Sequence, residues 1–156
     1  MRKILRSLAV LTLAAGGLAV TSGASAAPPE NVSEEPVVFG PDFTFCQYDI
    51  TAVLDGKSKT IEKKGFTILT SPGLKITLSA NGKTETFVAT GSFKVTTLAN
   101  GNVLTEFRGN NLVSDPMVGF LAISGHFTFL TDSAGNILQN LQGNGRTTDI
   151  CAALAP

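Results

Sequence analysis

His126 is the chain's single histidine, so it is the first residue to test for acid–base chemistry. It follows Gly125 in a run that alternates apolar and polar residues, on the polar side, and a surface position explains it without catalysis. Catalysis would need a nucleophile and an orienting carboxylate brought to it by the fold. No Gly-x-Ser-x-Gly elbow is present to supply a serine. The carboxylates Asp49, Glu62, Glu85, Glu106, Asp115, Asp132 and Asp149 are spread over strands and turns, and no two stand out as a glycosidase pair. Asp132-Ser133-Ala134-Gly135-Asn136 faintly resembles a calcium loop but lacks the regular acidic ligands and the closing glutamate, so it reads as a hairpin turn. Cys46 and Cys151 with one histidine are too few for a structural zinc site. Spacing assigns no catalytic residue, no metal site and no cofactor.

Arg108 and Arg146 are the only arginines beyond residue 26. Arg108-Gly109-Asn110-Asn111 and Gly143-Asn144-Gly145-Arg146 each set a guanidinium beside glycine and asparagine. Arg108, Asn110, Asn144 and Arg146 are therefore a candidate polar rim for an anionic or sugar-like ligand. Turn chemistry with solvated arginines is the plainer reading. Tyr48 is the one tyrosine and tryptophan is absent, so an aromatic sugar platform is poorly supplied.

The elements that would position these residues are strands. Residues 91–110 align without a gap on residues 125–144, and eight of the 20 pairs are identical, Phe93/Phe127 and Gly109/Gly143 among them. Each unit alternates with period two about a Gly-Asn turn, which predicts a β-hairpin repeated at an offset of 34. Gly91, Phe93, Val95, Val103, Phe107 and Gly109 fall on one face, with Gly125, Phe127, Phe129, Ile137, Leu141 and Gly143. Ser92, Lys94, Thr96, Glu106 and Arg108 fall on the other, with His126, Thr128, Asn140 and Gln142. That is the pattern of a sheet solvated on one side. The linking segment predicts a further strand around Gly119 to Ser124.

Upstream, alternation from Cys46 to Leu54 predicts a strand closed by an Asp55-Gly56 hairpin turn. Short runs follow at Phe66–Thr70, Leu74–Leu78 and Lys83–Thr90, separated by Ser71-Pro72-Gly73 and Asn81-Gly82. Lys57 to Lys64 holds four lysines and one glutamate, as an exposed edge strand or a solvated loop would. About eight strands joined by short turns predict an all-β antiparallel meander closing into a small barrel, with a two-sheet β-sandwich as the alternative.

The two ends of the chain set its expected location. Arg2, Lys3 and Arg6 precede an uncharged run from Leu8 to Val20, and Ala24-Ser25-Ala26 offers small residues to a signal peptidase. Residues 1–26 are expected to be a cleaved signal peptide, residues 27–41 a flexible leader rich in proline and glutamate, and residues 42–156 a single β domain. The expected destination is secreted, extracellular, with no membrane anchor after cleavage. The chain has 12 basic and 12 acidic residues. Cleavage removes three bases, leaving nine against twelve and a net charge of −3. This mildly acidic surface has no footprint for nucleic acid. Both cysteines remain and meet an oxidising space, where one internal disulfide is possible. Free thiols or an intermolecular bridge are the alternatives. A bridge closing about 100 residues would contribute up to ~4–5 kcal/mol in the chain-entropy model, and it would suit a barrel whose first and last strands meet.

Phe45-Cys46-Gln47-Tyr48-Asp49-Ile50, Gly56-Lys57, the glycine-spaced hairpins and the closing Gly143-Asn144-Gly145-Arg146-Thr147-Thr148-Asp149-Ile150-Cys151 carry a resemblance. Over residues 43–152 the chain resembles small secreted actinobacterial proteins of unassigned function. The resemblance implies a β-barrel-like fold with a Cys46–Cys151 bridge, and no activity. In architecture the domain is also similar to lipocalin-like and allene-oxide-cyclase-like barrels, but no motif matches their ligand residues.

The expected function is a secreted non-enzymatic module that binds a small apolar ligand or a surface partner. The alternative is an enzyme with a barrel-mouth active site, cyclase- or hydrolase-like, which no motif supports. A pocket lined by the apolar face with His126 outside it favours the first. His126 or Arg146 buried against carboxylates inside a cavity favours the second.

Overall fold

The structure, a computed structural model, describes residues 27–32 and 34–156. The segment expected to be a signal peptide lies outside the described residues. Alternation translates into strands almost throughout. The chain runs through β1 (Glu30–Asn31), β2 (Val37–Phe39), α1 (Pro41–Thr44), β3 (Ile50–Asp55), β4 (Lys57–Lys63), β5 (Phe66–Thr70) and β6 (Lys75–Ala80). It continues through β7 (Lys83–Val88), β8 (Ser92–Thr97), β9 (Val103–Asp115), β10 (Gly119–Thr131), β11 (Ile137–Asp149) and α2 (Ile150–Leu154). The segment expected to be a flexible leader contributes β1 and β2 and the buried Val32.

All pairing is antiparallel, in two sheets. One has seven strands in the order β1-β4-β5-β8-β9-β10-β11, the other four in the order β2-β3-β6-β7. The expected barrel does not form: β1 and β11 are opposite edges of the larger sheet, and the two-sheet alternative fits better. The reason lies in the connections that change sheet, two of which carry turn signals. Asp55-Gly56 carries the chain from β3 in the small sheet to β4 in the large one, and Ser71-Pro72-Gly73 returns it from β5 to β6. The expected hairpin at Asp55-Gly56 is thus a change of sheet. A Cβ on Gly56 would lie 2.6 Å from the Leu74 Cα, so glycine is what lets the two crossings touch. Asn81-Gly82 is a true hairpin turn, with φ of 53° and 76° at its two residues, as a type I′ turn requires.

Ile50, Ala52 and Leu54 on β3 stand with Ile76 and Leu78 on β6, with Ala52 opposite Leu78 and Leu54 opposite Ile76. All five are buried, each side chain contributing roughly 1.5–3 kcal/mol for the larger aliphatics. The core is completed by Leu74, Ala89 and Phe120, and by Ile150 and Leu154 of α2. Those two are one helical turn apart and both fully buried. The strand periodicity hid this helix. It begins because the Asp149 carboxylate accepts the Ala152 amide at 3.0 Å, an N-cap.

The strand expected from Cys46 starts only at Ile50. Before it, Pro41 begins the single-turn helix α1, which ends with Phe45 in the left-handed region. Cys46 lies in the following bend and is bonded to Cys151 in α2, with Cα atoms 5.3 Å apart and a sequence separation of 105. The bridge therefore joins the segments flanking the β core and not its first and last strands. Around it, the Tyr48 hydroxyl donates to the Cys151 carbonyl, the Ser114 hydroxyl to the Phe43 carbonyl, and the Asn81 amide to the Leu154 carbonyl at 2.9 Å. Burial, with the Asp149 charge adding to it, holds the Tyr48 phenol above its ordinary value of 10.0.

Candidate functional site

The strands that align at an offset of 34 place side chains on two faces of the large sheet. On its outer face, Arg108 and Asn144 flank His126 in register, and Asn110 and Arg146 flank Ser124 in the neighbouring row. The four candidate rim residues are thus brought together on β9, β10 and β11. Arg108, Asn144 and Arg146 are exposed, and Asn110 is half-buried.

The centre of charge on this face is Glu106, which the alternation puts on the polar face with Lys94, Arg108 and His126. Its carboxylate lies 3.8 Å from Lys94 Nζ, 3.9 Å from an Arg108 nitrogen and 3.9 Å from His126 Nε2. Lys94 also sits 4.7 Å above the Phe66 ring. Such pairs are solvent-screened and individually weak, below about 1 kcal/mol each. His126 is more than half exposed, and among the described residues no hydroxyl is hydrogen-bonded to it. A shallow depression beside it is lined by His126, Thr128, Gln142, Gly143 and Asn144.

The segment Asp132–Asn136 is a hairpin turn. The Asp132 carboxylate accepts the amides of Ala134 at 2.9 Å and Asn136 at 2.8 Å, and the Asn136 side chain at 2.7 Å. These bonds, that from the Asn136 side chain foremost, hold the Asp132 carboxyl below its ordinary value of 3.8.

The inner face is different. A cavity of about 110 Å³ lies between the two sheets. The small sheet supplies Ala52, Leu54, Ile76 and Leu78, and the large one supplies Leu69, Phe93, Phe107, Phe129 and Leu141. Phe39 and Phe43 also line it, their rings stacked with centroids 4.7 Å apart. Phe107 lies 6.0 Å from Phe93 and 6.1 Å from Phe129, ring centre to ring centre. These residues match the apolar face read from the alternation. Asn140, expected on the polar face, is exposed and also borders the cavity. Thr128 pairs with Gln142 while Leu130 pairs with Gln139, so a bulge inserts an extra residue in β11 beside Asn140.

Few polar groups reach the cavity, and one is distinctive. Asp115, at the end of β9, is 6% exposed. Its Oδ1 accepts the amides of Met117 at 2.8 Å and Val118 at 3.3 Å. Its Oδ2 is buried with no hydrogen-bond partner among the described residues. In the sequence its only local signal is an Asp-Pro turn start, which explains Oδ1 and is silent on Oδ2.

No family model, curated protein or solved structure matches this chain.

Proposed function

We propose that the chain is exported with loss of residues 1–26, and that the remaining domain is a non-enzymatic carrier holding a small apolar molecule between its sheets. The cavity carries this reading. It is lined by the inner apolar faces of both sheets, and His126 stands outside it on the opposite face. An engineered cavity of roughly 150 Å³ walled by leucine, isoleucine and phenylalanine stays dry and binds benzene. A volume of about 110 Å³ therefore suits a single ring or a short alkyl chain. Sites for drug-sized ligands are larger, roughly 300–1,000 Å³. The Cys46–Cys151 bond is compatible with an oxidising compartment, and among the described residues no helix is long and apolar enough to cross a membrane.

The test is a methyl NMR titration of the oxidised domain with toluene. Saturable shifts confined to Leu54, Leu69, Ile76, Leu78 and Leu141 are expected. An unchanged spectrum close to the solubility limit of toluene would overturn the reading.

A further inference from the structure

We infer that the cavity selects an apolar molecule bearing one hydrogen-bond donor, an O–H or N–H that meets Asp115 Oδ2. The inference rests on the proposed carrier function and specifies its ligand. Among the described residues, Asp115 is the one carboxylate in the cavity wall. An ionised carboxylate offers only acceptors. Oδ1 is occupied by two backbone amides, and Oδ2 faces none among the described residues. The nearby polar groups do not compensate. The Asn111 amide donates to the Arg108 carbonyl at 3.1 Å and the Gly109 carbonyl at 3.4 Å, and the Ser114 hydroxyl donates to the Phe43 carbonyl. Burying an acceptor without a donor is unfavourable, and a donor brought by the ligand removes that cost. Apart from Ser71, Asn111, Ser114 and Asn140, the rest of the wall is aliphatic and aromatic, so the remainder of the ligand is largely apolar. Phenols and small aromatic amines have this chemistry.

Three probes of nearly equal shape separate the contributions: toluene, phenol and aniline, each titrated into the oxidised domain. In a purely apolar cavity toluene would bind tighter than phenol by roughly tenfold, because the hydroxyl is desolvated without return. Phenol or aniline binding at least as tightly as toluene is the expected result, and the stronger of the two identifies the donor class. Asp115→Asn keeps an oxygen for the Met117 and Val118 amides and replaces the other acceptor by a donor. It should weaken phenol by roughly tenfold or more and leave toluene within about threefold. Toluene tightest by tenfold in the unmodified protein would overturn the inference and leave the carrier reading intact. So would equal weakening of toluene and phenol by Asp115→Asn. Absence of binding by all three would overturn both. If the variant does not fold, the three-probe comparison on the unmodified protein still decides.

Discussion

The β8–β9 hairpin and the β10–β11 hairpin are built on nearly the same sequence pattern, and their turns close alike. Leu98 N donates to Asn102 O at 2.8 Å and Gly101 N to Leu98 O at 2.9 Å in the first. Asp132 N donates to Asn136 O at 2.9 Å and Gly135 N to Asp132 O at 3.1 Å in the second. Beyond the turns they diverge. The first hairpin sits inside the large sheet, with β5 on one side and β10 on the other, whereas β11 is an edge. Phe107 is buried while Leu141, its partner at an offset of 34, is half-buried. From Gln142 to Asp149, β11 is exposed throughout, and its bulge and polar Gly-Asn-Gly-Arg run suit an edge that discourages further pairing. Local pattern specifies the hairpin; the neighbouring strands decide what it buries.

Replacing equivalent residues tests this contrast. Phe107→Ala should cost about 3–5 kcal/mol and Leu141→Ala about 1–2 kcal/mol, read by urea unfolding of the oxidised domain. Equal losses would mean that position in the sheet does not set burial energy. Gly143→Ala should come next. A Cβ there would lie 2.0 Å from the His126 carbonyl oxygen and 2.7 Å from the Phe127 Cα, both backbone, so β10 and β11 must part. A loss of about 3 kcal/mol is expected. At Gly109, with φ of 75°, the nearest atom to an added Cβ is the Gly91 Cα at 3.3 Å. There the cost is mainly left-handed backbone strain, about 1–2 kcal/mol. A Gly109→Ala loss matching that of Gly143→Ala would break the comparison.

The smallest effect separates the turns, since Asp132 has Leu98 as its counterpart. The folded Asp132 carboxyl titrates below its ordinary value of 3.8, so its contribution is full above that value and fades as pH falls through the lower folded one. The stability difference between the unmodified protein and Asp132→Ala should therefore be constant near neutrality and shrink below about pH 4. A Leu98→Ala control should show no such acid-dependent narrowing.

The apolar wall of the cavity was largely legible. Phe93, Phe107, Phe129 and Leu141 follow from period-two alternation, which depends only on the pleat. Asn140 keeps the exposure that the alternation predicts, while the neighbouring bulge in β11 is marked by no residue type. The Asp55-Gly56 pair reads as a hairpin because turn chemistry is local, whereas the partner sheet of the next strand is set by distant packing. α2 escaped notice because five residues are too few for a helical stripe. Alternation puts Glu106 on one face with Lys94, Arg108 and His126, and cross-strand register brings them within reach. Asp115 reads as one of several dispersed carboxylates, and only burial distinguishes it.

By itself, the sequence determined the all-β class, the alternation of faces, the paired hairpins and the availability of Cys46 and Cys151 for one bond. Each depends on residue type and short-range geometry. The tertiary structure alone decided that the strands divide into two sheets without closing, that a cavity remains between them, and that one oxygen of Asp115 is buried in its wall without a donor. These depend on which strands become neighbours and on how completely side chains from remote segments fill the space between them, which no local pattern encodes.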